Sequence, residues 1–301
     1  ACRESTTRGP VGTCVVQRGR FEYTKLLCGT ATTYRSMTAG DQLTVKTTRT
    51  SLGIIATVRA ADGARVSDIV DAHGIAKSTA HKHLTTLERA GYLIKTGEVY
   101  RIGFRFLNLG EYAREQWDWF SPVKSAVEEL AERTEEECDF VVDDHGRVIT
   151  IAESYHKWAK YGTEDGSKRY RANIGTDYPI HATGSGLAIL SAYPRERTRA
   201  IIDNWGLSSL TAHTITSREE LFAELERTRE RGHAVGDRYY TEGLRSVGRP
   251  VTAADGTVLG ALSVSGPTYR IDGAVLDREV PQALAAVVDS VESELAAASG
   301  V

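Results

Sequence analysis

Polar and basic side chains surround a regular apolar stripe in the segment 77–90. Ala80, Leu84 and Leu87 fall at positions i, i+4 and i+7, so they predict one buried face of a helix. The remaining positions carry ammonium, hydroxyl and imidazole groups, which can donate hydrogen bonds to phosphate oxygens and to base edges. This pattern predicts contacts with nucleic acid by Lys77, Ser78, Thr79, His81, Lys82 and Thr86.

The residues before this helix predict a second, shorter helix that packs against it. Ser67 is a suitable N-cap, and Asp68 in the first turn suits the positive end of the helix dipole. Gly74 stands where a left-handed residue is needed to end the helix. Ile75 then lies inside the turn, where we expect it to fill the angle between the two helices.

A hairpin is predicted directly after the basic helix. Its two strands flank a tight turn at Thr96-Gly97 and end at Ile102. Lys95 and Arg101 on these strands are candidates for contacts with the DNA backbone. The order of helix, glycine turn, basic helix and hairpin predicts a winged helix-turn-helix, whose second helix enters the major groove of double-stranded DNA. The alternative is an ordinary helical subdomain with a solvated polar face.

Charge is divided unevenly along the chain. Residues 44–105 contain 10 Lys or Arg against 5 Asp or Glu, a balance of +5, whereas residues 106–301 contain 21 against 32, a balance of −11. A basic end on an acidic body is typical of a protein that contacts phosphates with one part only. No apolar run approaches the length of a membrane span, so we expect a cytoplasmic protein with no membrane partner.

The sequence contains no motif typical of a metal site or a catalytic site. The cysteines show no CxxC spacing, and His81 and His83 are too close on one helix to bind a metal ion from one face. The Gly-Ser-Gly at 184–186 matches neither a nucleophile elbow nor a dinucleotide-binding loop. His181 nearby is interpreted as structural rather than as a base. We predict no metal, no cofactor and no enzymatic activity.

Strands and helices are mixed in the remaining two-thirds of the chain. The segment CDFVVDDHGRVITIAE predicts two strands joined by a turn at Asp-His-Gly, and ADGTVLGALSVSG predicts a turn followed by a strand. Helices are expected at about 184–191, 195–204, 218–231 and 276–297. This arrangement argues for an α+β domain with an antiparallel sheet.

Large apolar residues recur at helical spacing between the basic head and this domain, which predicts a linker helix over residues 105–120. They are Phe106, Leu109, Ala113, Trp117 and Phe120. An exposed stripe of this kind is expected to pack against another surface, and a second subunit would provide one. The same dimer would place two recognition helices on adjacent half-sites. We therefore expect a homodimer or a dimer of dimers. The alternative is that the stripe packs only within its own chain.

Five segments of the chain resemble the IclR family of bacterial and archaeal transcription regulators. They are IAKSTAHKHLTTLERAGYL and YRIGFRFLNLG in the head, followed by YPIHATGSGLAIL, RGHAVGDRYYTEGLRSVGRPV and GTVLGALSVSGPTYRI. The resemblance spans about residues 44–297, and the composition hints at a haloarchaeal source. It implies a winged helix-turn-helix, a linker helix used in dimerisation and a GAF-like effector-binding domain.

The resemblance also implies an effector pocket. The matching residues are Ala182, Thr183, Gly184, Asp237, Glu242, Ser246, Ser263 and Ser265. A helix N-terminus with small residues and hydroxyls can hold a carboxylate, and Asp237 can accept a hydrogen bond from a ligand hydroxyl. Asp237 could instead be a surface turn residue, and alternation along the last strand leaves open whether its serines face a pocket or solvent. Ser246 stands where many family members have Cys, and Arg249 where a small residue is common, which bears on the ligand more than on the fold.

Four regions follow from these predictions: a disordered tail or upstream extension (1–43), a DNA-binding domain (44–104), the linker helix (105–120) and an effector-binding domain (121–301). The only Met is Met37, so we expect the natural protein to start there. The predicted function is that of an operator-binding transcription regulator modulated by a small organic acid or a sugar-derived metabolite. The alternative is a DNA-binding dimer whose C-terminal domain only oligomerises and binds no ligand.

Overall fold

A computed structural model describes residues 45–155 and 174–298, which form two compact units divided between Phe106 and Leu107. The predictions for residues 1–43, including a start at Met37, lie outside the described residues, as do three of the four cysteines. Each unit has hydrophobic core residues of its own.

Helices and a two-stranded hairpin build the described part of the N-terminal unit. In chain order the elements are α1 Lys46–Ala60, α2 Val66–His73, α3 Lys77–Arg89, β1 Leu93–Thr96 and β2 Val99–Ile102. Apolar residues from the helices and the hairpin meet in one core, in which Ile54, Ile69, Leu84 and Tyr100 are at most 1% exposed. The predicted helix-turn-helix followed by a hairpin is therefore present.

The start of α2 differs from the prediction. The helix begins at Val66, so the predicted N-cap Ser67 already lies inside it. The Asp68 carboxylate reaches back and accepts a hydrogen bond from the Arg65 amide at 2.8 Å, which fixes the earlier start. The predicted end is confirmed, since Gly74 has a left-handed φ of 60°.

The hairpin turn is shifted by one residue from the predicted Thr96-Gly97. Thr96 pairs directly with Val99, which leaves Gly97 and Glu98 as the two turn residues. Gly97 has a φ of 61°, the left-handed conformation that this kind of tight turn requires at its first position.

The linker helix is shorter than predicted. Helix α4 spans Arg105–Glu115, and its predicted continuation to Phe120 is wrong, because a turn intervenes and Phe120 begins the next helix, α5 (Phe120–Thr134). Phe120 is 7% exposed in the C-terminal core, and the rings of Trp119 and Phe140 pack with their centroids 5.9 Å apart. This packing buries apolar area in the C-terminal core, which favours a turn before Phe120 over a continued helix.

An antiparallel sheet of six strands forms the centre of the described C-terminal unit. Its strands are β3 Glu137–Asp144, β4 Arg147–Tyr155, β5 Asp177–Pro179, β6 Ala234–Asp237, β7 Leu244–Thr252 and β8 Val258–Pro267. They lie in the order β5-β4-β3-β8-β7-β6, so the hairpins β3–β4 and β7–β8 meet through β3 and β8. The predicted α+β class with an antiparallel sheet is confirmed.

Helices lie on both faces of this sheet. They are α6 Gly184–Ala192, α7 Arg195–Trp205, α8 Arg218–Arg231 and α9 Val280–Ala298, the last preceded by a π-helical turn at Val275–Glu279. Helices α5 and α9 share a core with Phe140 and Leu262, whereas α6, α7 and α8 share a second core with Val141 and Ala261. Alternate strand residues therefore serve two separate apolar layers.

Glycines allow α6 to approach the sheet closely. A Cβ on Gly248 of β7 would lie 2.6 Å from the carbonyl group of Gly184. A Cβ on Gly186 would lie 2.0 Å from the carbonyl oxygen of Ile180, in the 3-10 turn that precedes α6. Both distances are well below van der Waals contact. The N-terminus of α6 therefore rests directly on β7.

Candidate functional site

The exposed face of α3 gathers the residues predicted to contact DNA. Ala80, Leu84 and Leu87 are buried in the N-terminal core, as their spacing predicts. All of the residues predicted to contact DNA from this helix are exposed to solvent: Lys77, Ser78, Thr79, His81, Lys82 and Thr86. Side chains presented in this way can reach phosphates and base edges in a major groove, which is wide enough to admit a helix.

Local hydrogen bonds organise part of this face. Thr86 Oγ1 donates to the carbonyl oxygen of Lys82 at 2.7 Å, and His81 Nδ1 lies 3.3 Å from Thr85 Oγ1. The ammonium groups of Lys77 and Lys82 have no hydrogen-bond or ion-pair partner within residues 45–155 and 174–298. Their charge is therefore available for a phosphate.

The hairpin presents its two predicted contacts differently. Lys95 is exposed, and its Nζ lies 5.3 Å from the centroid of the Tyr100 ring. Arg101 Nη1 donates to the backbone carbonyl oxygen of Asp62 at 2.6 Å and lies 3.4 Å from the carboxylate of the same residue. Part of the donor capacity of Arg101 is therefore used inside the unit, although 54% of its side chain is exposed.

Two histidines join the helices of this unit. His83 Nδ1 lies 2.8 Å from Ser51 Oγ on α1, and His73 Nε2 lies 2.9 Å from Thr57 Oγ1, also on α1. Burial lowers the pKa of His73, and the charge of His83 lowers it further. His83 is thus a contact between α1 and α3, separate from the exposed face.

A cavity in the C-terminal unit lies between the sheet and the start of α6. It holds about 390 Å³ of empty space, part of it continuous with solvent. The residues implied by the resemblance that line it are Ala182, Thr183, Ser246, Ser263 and Ser265. The two serines of β8 thus face this cavity.

The amide groups at the N-terminus of α6 are already paired. The Gly184 amide donates to Ser246 Oγ at 3.0 Å, and the Gly186 amide donates to Thr183 Oγ1 at 3.0 Å. These hydroxyls occupy positions that a ligand carboxylate would otherwise take at a helix N-terminus. Gly184 therefore borders the cavity without being among its lining residues.

Asp237 and Glu242 do not line the cavity. Successive strand residues face opposite sides, and Gly236 is the residue of β6 that faces it. The Asp237 carboxylate lies 2.8 Å from Arg245 Nε and 3.1 Å from Arg238 Nε. Burial alone would raise the pKa of Asp237, but these two guanidinium groups outweigh burial and lower it. Glu242 is exposed.

An acidic residue absent from the predicted site, Asp139 of β3, lines the cavity. It is 8% exposed, and Ser263 Oγ donates a hydrogen bond to it. Burial raises the pKa of Asp139 to about 6, the hydrogen bond from Ser263 acts in the opposite direction, and the charge of Glu153 raises it further. A signal exists in the sequence, because Asp139 interrupts the apolar run CDFVV, where an acid is unusual.

Two tyrosines absent from the predicted site also line the cavity. Tyr178 belongs to β5, and Tyr240 follows β6. Their rings meet edge to face, with centroids 5.2 Å apart. This pair places an aromatic wall beside the hydroxyl groups of the sheet and of α6.

A second cavity of about 320 Å³, also partly open to solvent, lies beside β4 and α7. His181 lines it, and its Nε2 lies 3.0 Å from the carbonyl oxygen of Ser208, so this nitrogen is the donor. Burial lowers the pKa of His181. Ser185 lines the first cavity instead, so His181 and Ser185 do not form a base and nucleophile pair.

Within the two described ranges, no group of three or more His, Cys, Asp or Glu side chains is placed to hold a metal ion. In the same part of the chain, no helix has both the length and the apolar composition needed to cross a bilayer.

Comparison with known protein families accounts for both units. Residues 51–97 match the IclR helix-turn-helix domain, and residues 114–292 match the domain described as bacterial transcriptional regulator IclR C-terminal. The first match contains the exposed face of α3, and the second contains the cavity beneath α6. The second match alone covers more than half of the chain.

The individual relatives are also transcription regulators or domains of them. The probable HTH-type transcriptional regulator ArcR of Halobacterium salinarum is 25% identical over 258 residues, which cover 85% of this chain and 96% of ArcR. IclR of Thermotoga maritima shares the fold at 22% identity and a TM-score of 0.65, covering 83% of this chain and 98% of its own. A double mutant of the PobR inducer-binding domain from Acinetobacter, solved with 3-hydroxybenzoic acid, is 25% identical with a TM-score of 0.51, covering 57% of this chain and 96% of its own. The matched families and relatives are transcriptional regulators, not enzymes.

Proposed function

The chain belongs to the IclR family of DNA-binding transcription regulators, and on that premise we propose that a small molecule bound in its C-terminal unit controls operator binding by its N-terminal unit. The observation that carries this proposal is the cavity beneath α6, which is lined by hydroxyl groups and one buried carboxylate. The PobR inducer-binding domain, solved with an aromatic acid, supports a ligand of small-molecule size.

On the DNA side, we assign residues 44–104 to the DNA-binding domain and place α3 in the major groove of a palindromic operator. The contacts assigned to α3 are those of Lys77, Ser78, Thr79, His81, Lys82 and Thr86. Lys95 and Arg101 are assigned to the flanking phosphates. The basic balance of this part of the chain supports the assignment, because phosphate neutralisation supplies much of the affinity of such proteins.

We further propose a cytoplasmic homodimer or dimer of dimers, with residues 105–120 as the linker between the DNA-binding domain and a GAF-like effector domain at 121–301. Leu109, Tyr112 and Trp117 support association, since they are 46%, 66% and 52% exposed. Apolar side chains of this size, grouped on one segment, are typical of a surface that a partner covers. Two paired subunits would present two recognition helices to two half-sites.

Control of this kind has a thermodynamic limit. A ligand changes operator affinity only as far as its own affinity differs between the arrangement that binds DNA and the one that does not. A tenfold change in operator affinity therefore requires a difference of about 1.4 kcal/mol in ligand binding.

Fluorescence anisotropy of the full chain with its own promoter DNA tests the proposal, repeated with organic acids, aromatic acids and sugar-derived compounds. We expect specific, salt-sensitive binding whose Kd one compound changes severalfold. Ser265→Leu, which fills the cavity, should bind the operator normally but lose that response. Specific binding that no compound alters would instead favour a C-terminal domain that only oligomerises.

A further inference from the structure

One acidic group lies at the centre of the sheet face that forms the cavity. Strands β3 and β8 pair so that Asp139 lies opposite Ser263, which in turn lies opposite Gly248 of β7. On its other side Asp139 pairs with Glu153 of β4. Directly paired residues share a face, so the Asp139 carboxylate lies between a hydroxyl group and a second carboxylate.

This carboxylate is buried and has unused hydrogen-bonding capacity. Ser263 Oγ is the one donor that the described residues supply to it, whereas an ionised carboxylate can accept about four hydrogen bonds. A structural ion pair does not account for Asp139, because no Lys, Arg or His is found among the described residues that line the cavity.

The polar groups that share the cavity with Asp139 are hydroxyls. Ser246 and Ser265 belong to the sheet, Thr183 to the start of α6, and Tyr240 to the loop after β6. A hydroxyl both donates and accepts, so this lining matches a ligand whose own groups also do both. A ligand ammonium would match Asp139 but could use the surrounding hydroxyls only as acceptors, leaving their donors without a partner on the ligand.

We propose that Asp139 is the specificity-determining residue of the effector site, and that it selects a neutral polyhydroxylated molecule, a sugar or sugar alcohol, by accepting hydrogen bonds from its hydroxyl groups. The inference rests on the proposed function, since it takes this cavity to be the effector site. A ligand carboxylate at this end is disfavoured, because two ionised carboxylates in one buried site repel each other.

The protonation of Asp139 links ligand binding to pH. The ionised carboxylate accepts more hydrogen bonds from ligand hydroxyls than the acid does, so binding is tightest above the raised pKa of about 6 and weakens below it. The titratable groups around Asp139 are Glu153 on β4, Glu137 on the same face of β3, Tyr178 on β5 and Tyr240 in the loop after β6.

Isothermal titration calorimetry on the full chain tests this assignment with matched probes: xylose and xylitol against xylonate, and glucose and glucitol against gluconate. We expect at least one neutral probe to bind, and its matched acid to bind about tenfold more weakly or not at all. Asp139→Asn should weaken the neutral probe by about tenfold. Between about pH 7 and pH 5, affinity should fall for the natural chain and stay constant for this variant.

The matched control is Asp144→Asn, which removes an exposed carboxylate from the same strand and should bind like the natural chain. Ser265→Ala is a second variant that leaves the carboxylate in place, and it should weaken the neutral probe by a smaller factor. The assignment is overturned by equal binding of an acid and its neutral partner, by unchanged affinity in Asp139→Asn, or by the failure of every neutral probe to bind.

Operator titrations with the same probes separate this inference from the proposed function. If a neutral probe binds through Asp139 but leaves operator affinity unchanged, the ligand assignment stands and the proposed regulation fails. If benzoate, an acid without hydroxyl groups, changes operator affinity while the neutral probes do not bind, the regulation stands and the ligand assignment fails.

Discussion

The two units treat their polar side chains in opposite ways. In the N-terminal unit, α3 buries Ala80 and Leu84 and exposes its polar residues to solvent. In the C-terminal unit, Asp139, Ser246 and Ser263 are no more than 8% exposed. Exposed side chains contribute little to folding, whereas the buried polar groups affect the fold and would also affect a ligand in the proposed effector site. Substitutions should therefore separate stability from binding in the first unit and couple them in the second.

The strongest test of that difference is the close contact between Gly186 of α6 and the turn that precedes this helix. Gly186→Ala would place a Cβ 2.0 Å from the carbonyl oxygen of Ile180. We expect the unfolding free energy of the C-terminal unit to fall by about 3 kcal/mol, the cost of overpacking a tight contact. Urea unfolding followed by tryptophan fluorescence measures it, because all four Trp residues lie after residue 106.

The matched control for this substitution is Gly110→Ala on α4, where an added Cβ meets nothing within 4 Å. It should leave stability unchanged or raise it slightly, since Ala favours a helix over Gly by about 1 kcal/mol. Equal unfolding transitions for the two variants would show that the position of α6 does not depend on Gly186.

Asp139 should give the C-terminal unit a dependence on pH. Its pKa in the folded chain, about 6, lies above the ordinary value of 3.8, so the folded state binds this proton more tightly than the unfolded state. Stability from this group is therefore present at low pH and is lost as pH rises through about 6. Asp139→Asn should remove this loss and raise the unfolding free energy near neutral pH by on the order of 2 kcal/mol.

Urea unfolding on either side of pH 6 measures this effect, with Asp144→Asn expected to keep the pH profile of the natural chain. A profile that is the same with and without the Asp139 carboxylate would contradict the raised pKa.

The α3 face should show the reverse behaviour, in which binding changes and stability does not. Lys82→Ala removes an exposed ammonium, so we expect operator affinity to fall by about tenfold and the dependence of log K on log salt to lose about one unit of slope. Lys124→Ala, an exposed lysine on α5, is the matched control. Unchanged operator affinity in Lys82→Ala would remove Lys82 from the assigned interface.

The smallest effect is expected on the hairpin. Arg101 already donates to Asp62, so Arg101→Ala should weaken operator binding by about threefold or less, as for a partly used surface cation. Anisotropy at two salt concentrations measures the loss. A decrease as large as that of Lys82→Ala would mean that Arg101 leaves Asp62 to contact DNA.

The sequence predicted the features that depend on neighbouring residues. The apolar spacing of α3, the left-handed Gly74 and the hairpin that follows depend on contacts within a few residues. The end of α4 was not predicted, because the residues that follow it, including Trp119, pack on Phe140 of a later element. The sequence between these two residues does not reveal that contact.

The cavity was predicted only in part, because strand pairing decides which residues face it. Ser263 and Ser265 were identified through the resemblance, but Asp237 lies one residue beyond Gly236 and so faces the other side of β6. Asp139 was missed because its role depends on a pairing with Ser263, 124 residues along the chain. An acid in an apolar strand is visible in the sequence, but its partner is not.

Ser246 Oγ accepts a hydrogen bond from the Gly184 amide, so it would compete with a ligand oxygen for the same amide. A ligand oxygen that binds this amide must first displace a side chain that is held at high local concentration by the fold. The apparent affinity is reduced by the fraction of time that the hydroxyl is in place. If the proposed effector binds here, Ser246 can therefore set the effector concentration at which the regulator responds, even for a ligand that makes no lasting contact with it.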